Sequence, residues 1–138
     1  RQVLHNLPPG NWDAGDRGFA CHPGREAEFR ESVQRGIKYA QALHCPQVNC
    51  LAGKLPDGVD RDAARVCFVA NLQYAAAQLK SAGIRLLIEP INSYDMPGFF
   101  LNTVNTNRRA TRQLAWGGSK IYSAEDALAE PMSLTRVW

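Results

Sequence analysis

The chain has 138 residues, 45% of them hydrophobic, which is enough for one domain with a real core but short for many enzyme folds. Its formal charge of +3 comes from 16 basic and 13 acidic residues spread along the chain, a pattern that argues against a nucleic-acid or polyanion tract. The longest purely apolar stretch, Val66 to Ala70, falls far below the roughly 20 residues that cross a bilayer, so a soluble protein with no membrane partner is expected.

Gln2 to Asn6 reads as a short strand, and Pro8-Pro9-Gly10 stops it with a turn. A long polar loop carrying Trp12 runs on to Pro23-Gly24. From Arg25 to His44 the apolar residues Phe29, Val33, Ile37, Ala40 and Leu43 recur at spacings of 4, 4, 3 and 3, which lays them along one stripe of a helix ended by Pro46. Gln47 to Leu51 has strand length and strand composition and stops at Ala52-Gly53. After Pro56-Asp57-Gly58, Asp60 is a natural N-cap for a second helix whose stripe is Val66, Val69, Leu72, Ala76 and Leu79, with Gly83 closing it. Ile84 to Ile88 is apolar apart from Arg85 and is blocked by Glu89-Pro90, as expected of a strand buried on both faces.

The order strand, helix, strand, helix, strand predicts an α/β fold with a parallel sheet and its functional loops at the carboxyl ends of the strands. No G-x-G-x-x-G follows the first strand, which disfavours a dinucleotide-binding sheet and favours part of a barrel. Cys21, Cys45, Cys50 and Cys67 form no C-x-x-C pair, so free buried thiols in a reducing cytoplasm are expected rather than a disulfide scaffold. No secretory signal opens the chain, and its first residue, Arg1, points to an incomplete start.

Glu89 is the strongest chemical signal, because an ionisable carboxylate ends an apolar strand at the face where such folds place their chemistry. A carboxylate there needs a partner, either a backbone N–H or an Arg in a structural role, or a divalent cation in a catalytic one. Three further residues are candidate substrate contacts. Asn92 could meet a substrate oxygen or stabilise the turn after Glu89-Pro90. Asn49, inside the second strand, faces either a core that must satisfy it or the barrel interior. His5, just before the end of the first strand, is either structural or ligand-binding. His22 and His44 each adjoin a cysteine without the spacing of a structural zinc site, and read as loop and helix-end residues. Met96 to Asn102 combines a turn with Phe99-Phe100, suited to packing a loop or walling a pocket.

Four separated blocks carry a family resemblance. They are Val3-Leu4-His5-Asn6-Leu7-Pro8 with Gly10-Asn11-Trp12, Arg17-Gly18 through Cys21-His22-Pro23, Cys45 through Lys54, and Leu86 through Asn92 with Pro97 through Asn102. In these the chain resembles the bacterial hydroxypyruvate isomerases, within the broader xylose isomerase-like barrels. The resemblance implies that residues 1–102 are the central portion of a (β/α)8 TIM-barrel isomerase domain, whose complete form takes about 250 residues. It implies interconversion of hydroxypyruvate and tartronate semialdehyde through an enediol-type proton transfer, with a divalent metal, Mg2+ or Mn2+, polarising the oxygens. Glu89 matches the first of the family's two glutamates and so takes a catalytic and a metal-ligating role, while His5, Asn49 and Asn92 make up the candidate substrate-binding set.

Residues 103–138 lose the resemblance and form a divergent tail, genuine or frame-shifted. Glu125 and Glu130 lie there in an expected short helix, and the second catalytic role is carried to neither. The partners expected are a small-molecule substrate and a second copy of the chain as a homo-oligomer, with no nucleic acid. Rival readings are a 2-oxo-tetronate or related sugar-acid isomerase, a non-catalytic remnant, and a zinc-dependent DNA-repair nuclease on a similar barrel. Three histidines and no basic groove signature weigh against the last.

Overall fold

The computed structural model describes residues 2–102 and, for their backbone, two later strands, Leu114–Trp116 and Ser119–Ser123. The stretch 107–112 and the expected helix holding Glu125 and Glu130 lie outside the described residues. The elements are β1 (His5–Asn6), α1 (Glu26–Ala42), β2 (Gln47–Cys50), α2 (Arg61–Ser81), β3 (Arg85–Ile88), β4 (Leu114–Trp116) and β5 (Ser119–Ser123). The sheet order is β1-β2-β3-β5-β4.

β1, β2 and β3 are parallel, with His5 opposite Val48, Asn6 opposite Asn49, and Gln47 to Cys50 opposite Arg85 to Ile88. Two helical crossovers on one side of three neighbouring parallel strands are the repeating unit of a (β/α)8 barrel. On the other side of β3, where a barrel would add a further parallel strand, β5 pairs antiparallel and β4 pairs antiparallel to β5. β1 is shorter than the expected Gln2 to Asn6, because it lies at the edge of the sheet and has only β2 to pair with.

The helices follow their local chemistry. α1 stops at Ala42 rather than His44, since His44 takes the left-handed conformation (φ 50°) and Cys45 N–H donates back to the Ala40 carbonyl (2.8 Å). Phe29, Val33 and Ala40 are buried as expected, while Leu43, beyond the helix end, is half exposed. Asp60 caps α2, its Oδ2 accepting from the Asp62 and Ala63 amides at 3.0 Å each.

The buried face of α2 differs from the expected stripe. It consists of Ala64, Cys67, Phe68, Asn71, Leu72, Ala75 and Leu79, whereas Val66 is 65% exposed. This helix is apolar on nearly every side, so periodicity selects its face weakly. Phe68 settles it by meeting Phe100 edge-on at 5.7 Å, and Asn71 donates to the Ala20 carbonyl at 2.9 Å.

All four cysteines are free and buried, and among the described residues no helix is long and apolar enough to cross a membrane. Burial raises the thiols of Cys21 and Cys50 to about 12 and that of Cys67 to about 11.

Candidate functional site

Alternation along the strands sorts the side chains into two sets. Val48, Cys50, Leu86 and Ile88 enter the core between sheet and helices. Asn6, Asn49, Leu87 and Glu89 therefore point to the opposite face, which in a barrel is the interior. There Asn49, 2% exposed, donates its amide to Asn6 Oδ1 at 3.0 Å and, over a longer 3.4 Å, to Glu89 Oε2. Its own Oδ1 is buried with no hydrogen-bond partner among the described residues. Glu89 is partly buried. Three consecutive strands thus converge three polar side chains at their carboxyl ends.

Two expected site residues lie elsewhere. His5 pairs with Val48 and so occupies the face opposite Asn6; its Nδ1 contacts the Asn6 carbonyl at 2.9 Å, and its Nε2 is buried with no partner among the described residues. Asn92 organises the turn after β3, its Oδ1 accepting from the amides of Tyr94 and Asp95 while Nδ2 donates to Asp95 Oδ2. Asn6 completes the cluster and was not singled out in the sequence. The signal that finds it is register: an inward Asn49 on β2 needs a polar partner opposite it on β1.

The loops behind the cluster are tied to one another. Gly18 bridges Ala52, the Cys21 amide donates to the Ala52 carbonyl (2.9 Å), the Phe100 amide to Gly53 (2.8 Å), and Leu55 to Gly98 (2.9 Å). Phe99, Phe100 and Leu101 are buried, so the Met96 to Asn102 segment packs. Trp12 is half exposed on the first loop beneath the Arg17 guanidinium, 3.8 Å from its ring centroid.

An ionic group fixes that first loop. Arg25 forks between Asp16 (2.9 Å) and Glu28 (2.7 Å), and its guanidinium holds both carboxyls below their usual range. His22 Nε2 donates to the Lys54 carbonyl at 2.8 Å, and burial lowers its pKa below the ordinary 6.5. Unfolding therefore releases a histidine that takes up a proton more readily, so its contribution to stability is complete above about pH 6.5 and declines as pH falls. Chemical denaturation between pH 7.5 and 5 is expected to show stability falling more steeply for the wild type than for His22→Gln, by up to about one proton's worth of slope. Parallel pH profiles would contradict this.

A parallel βαβαβ array with a carboxylate and two amides at the strand ends fits a portion of a barrel enzyme. Residues 1–116 match the family model described as xylose isomerase-like TIM barrel, and the chain belongs to that family. It is 54% identical over 99 residues to the hydroxypyruvate isomerase of Escherichia coli, an alignment covering 72% of this chain and 38% of that protein. It is 38% identical over 120 residues to the 2-oxo-tetronate isomerase of Cupriavidus necator, covering 87% and 46%. Among solved structures, the AP endonuclease, family 2, of Brucella melitensis superposes with a TM-score of 0.69 at 46% identity, covering 72% of this chain and 38% of that one. The chain spans less than half the length of these curated relatives.

Proposed function

We propose that this chain is the central portion of a sugar-acid isomerase that interconverts hydroxypyruvate and tartronate semialdehyde (2-hydroxy-3-oxopropanoate). The observation that carries this reading is the Glu89 carboxylate, set at the end of β3 beside Asn49 on the interior face. The reaction removes a proton from C3 of hydroxypyruvate, passes through an enediol, and returns a proton to C2. It needs a carboxylate poised at the strand mouth, and Glu89 takes that acid/base role. Asn49 orients the carboxylate, and with Asn6 it makes the polar wall for the substrate oxygens.

When bound, a divalent cation, Mg2+ or Mn2+, would polarise both oxygens of the substrate. Such hard ions take oxygen ligands, and Glu89 is the residue of this cluster that would hold one. No group of three His, Cys, Asp or Glu side chains converges among the described residues, so the remaining ligands and the second acid/base would come from elsewhere in the barrel. On this reading the described residues by themselves do not turn over substrate. A cytoplasmic location and self-association are part of the same proposal.

The 2-oxo-tetronate relative supports a second reading, the same proton transfer on a longer carbon chain. The higher identity to the hydroxypyruvate isomerase favours the shorter substrate. The test is a chimaera in which the 99 aligned residues replace their counterparts in the Escherichia coli enzyme, completing the barrel. Isomerisation of hydroxypyruvate by the folded chimaera is the expected result. Faster conversion of 2-oxo-tetronate would favour the second reading, and a folded chimaera inert toward both would overturn the proposal.

A further inference from the structure

Asn49 holds a buried polar atom that the strand-end cluster leaves unused. Asn49 is only 2% exposed, and its Oδ1 is buried with no hydrogen-bond partner among the described residues. An unpaired buried amide oxygen costs about 1–3 kcal/mol, so a site that keeps one is suited to a donor from outside.

The orientation of the amide is set by its neighbours. Turning it over would bring Oδ1 against Glu89 Oε2, which is an acceptor whichever way the Asn6 amide is turned. Because Nδ2 is committed to Asn6 and Glu89, Oδ1 is left as an acceptor only. It lies on the interior face, on the strand between those that carry Asn6 and Glu89.

Resting on the isomerase reading above, we infer that Asn49 Oδ1 accepts a hydrogen bond from a substrate hydroxyl, and so selects a 2-oxo acid bearing a hydroxyl on the carbon next to its carbonyl over the same acid without one. A carbonyl or carboxylate oxygen cannot occupy that position, since it would meet another acceptor. A hydroxyl can, and hydroxypyruvate carries one where pyruvate has only a methyl hydrogen. Sites built to bond a hydroxyl reject the analogue lacking it, because the buried partner is then left unpaired.

The test uses the folded chimaera described above, 15N-labelled, titrated with hydroxypyruvate and with pyruvate while the Asn49 side-chain amide is followed by NMR. The expected result is a saturable shift of that amide with hydroxypyruvate and an affinity for pyruvate at least about tenfold weaker. In Asn49→Leu, close in volume and without the oxygen, the preference should fall to about one. Hydroxypyruvate that shifts the Glu89 backbone amide but binds no better than pyruvate overturns the acceptor role and leaves the isomerase reading standing. Failure of hydroxypyruvate to perturb any strand-end residue overturns both. A shift of the Asn49 amide with Mg2+ alone, equal to that with hydroxypyruvate, would reassign Oδ1 to the metal and also overturn the inference.

Discussion

Replacing Glu89 with Gln in the completed barrel is expected to lower turnover of hydroxypyruvate by at least about 100-fold, the usual scale of general acid/base catalysis. Gln keeps the size of the side chain and one oxygen to accept from Asn49 Nδ2, so the cluster should survive. What it removes is the group that can take and return a proton. The loss should persist in kcat at saturating Mg2+ or Mn2+, which separates the missing acid/base from a weaker hold on the cation. Circular dichroism of the variant, together with steady-state kinetics, checks both parts. Turnover within a few-fold of the parent, with the fold intact, would remove Glu89 from the chemistry.

Gly53→Ala should be the most disruptive small substitution behind the site. Gly53 has φ 96°, a left-handed conformation that strains any side chain, and a Cβ there would lie 2.4 Å from the Gly18 carbonyl oxygen and 3.0 Å from His22 Nε2. Gly18 meets the same problem from the other side, where a Cβ would approach the Leu51 carbonyl oxygen to 2.4 Å. The two loops are thus pressed backbone to backbone, and neither can yield without breaking the Gly18–Ala52 bridge or the His22–Lys54 bond. Backbone strain and overpacking together should cost about 2–4 kcal/mol. Thermal unfolding is expected to shift down by roughly 10 °C or more. Gly24→Ala, also at positive φ but with open space around its Cβ position, should cost less. Equal effects at the two positions would mean that strain alone, and not the close approach of the loops, sets the penalty.

Much of this architecture was legible in the residues. The stripe of Phe29 and Val33 and the Asp60 cap report local chemistry that the fold retains. Glu89 stood out because a carboxylate after Leu86-Leu87-Ile88 has no local reason to be there. The face of α2 was not legible, since a helix apolar on nearly all sides is oriented by distant partners such as Phe100 and Ala20. Asn6 escaped notice for a similar reason. Its role depends on lying opposite Asn49, a pairing across 43 residues of sequence that no window along the chain contains. His5, one residue earlier, drew attention by its residue type, yet the pleat turns it to the other face. The antiparallel pairing of β5 with β3 likewise follows from no local pattern.

Proton transfer at Glu89 is most directly tested by running the completed barrel in D2O with hydroxypyruvate and following carbon-bound hydrogen by NMR. The expected result is deuterium entering C3 of hydroxypyruvate and C2 of the product, at rates that fall at least about 100-fold in Glu89→Gln. Isomerisation without any solvent deuterium in either position, or incorporation that persists undiminished in Glu89→Gln, would contradict a proton transfer carried by this carboxylate.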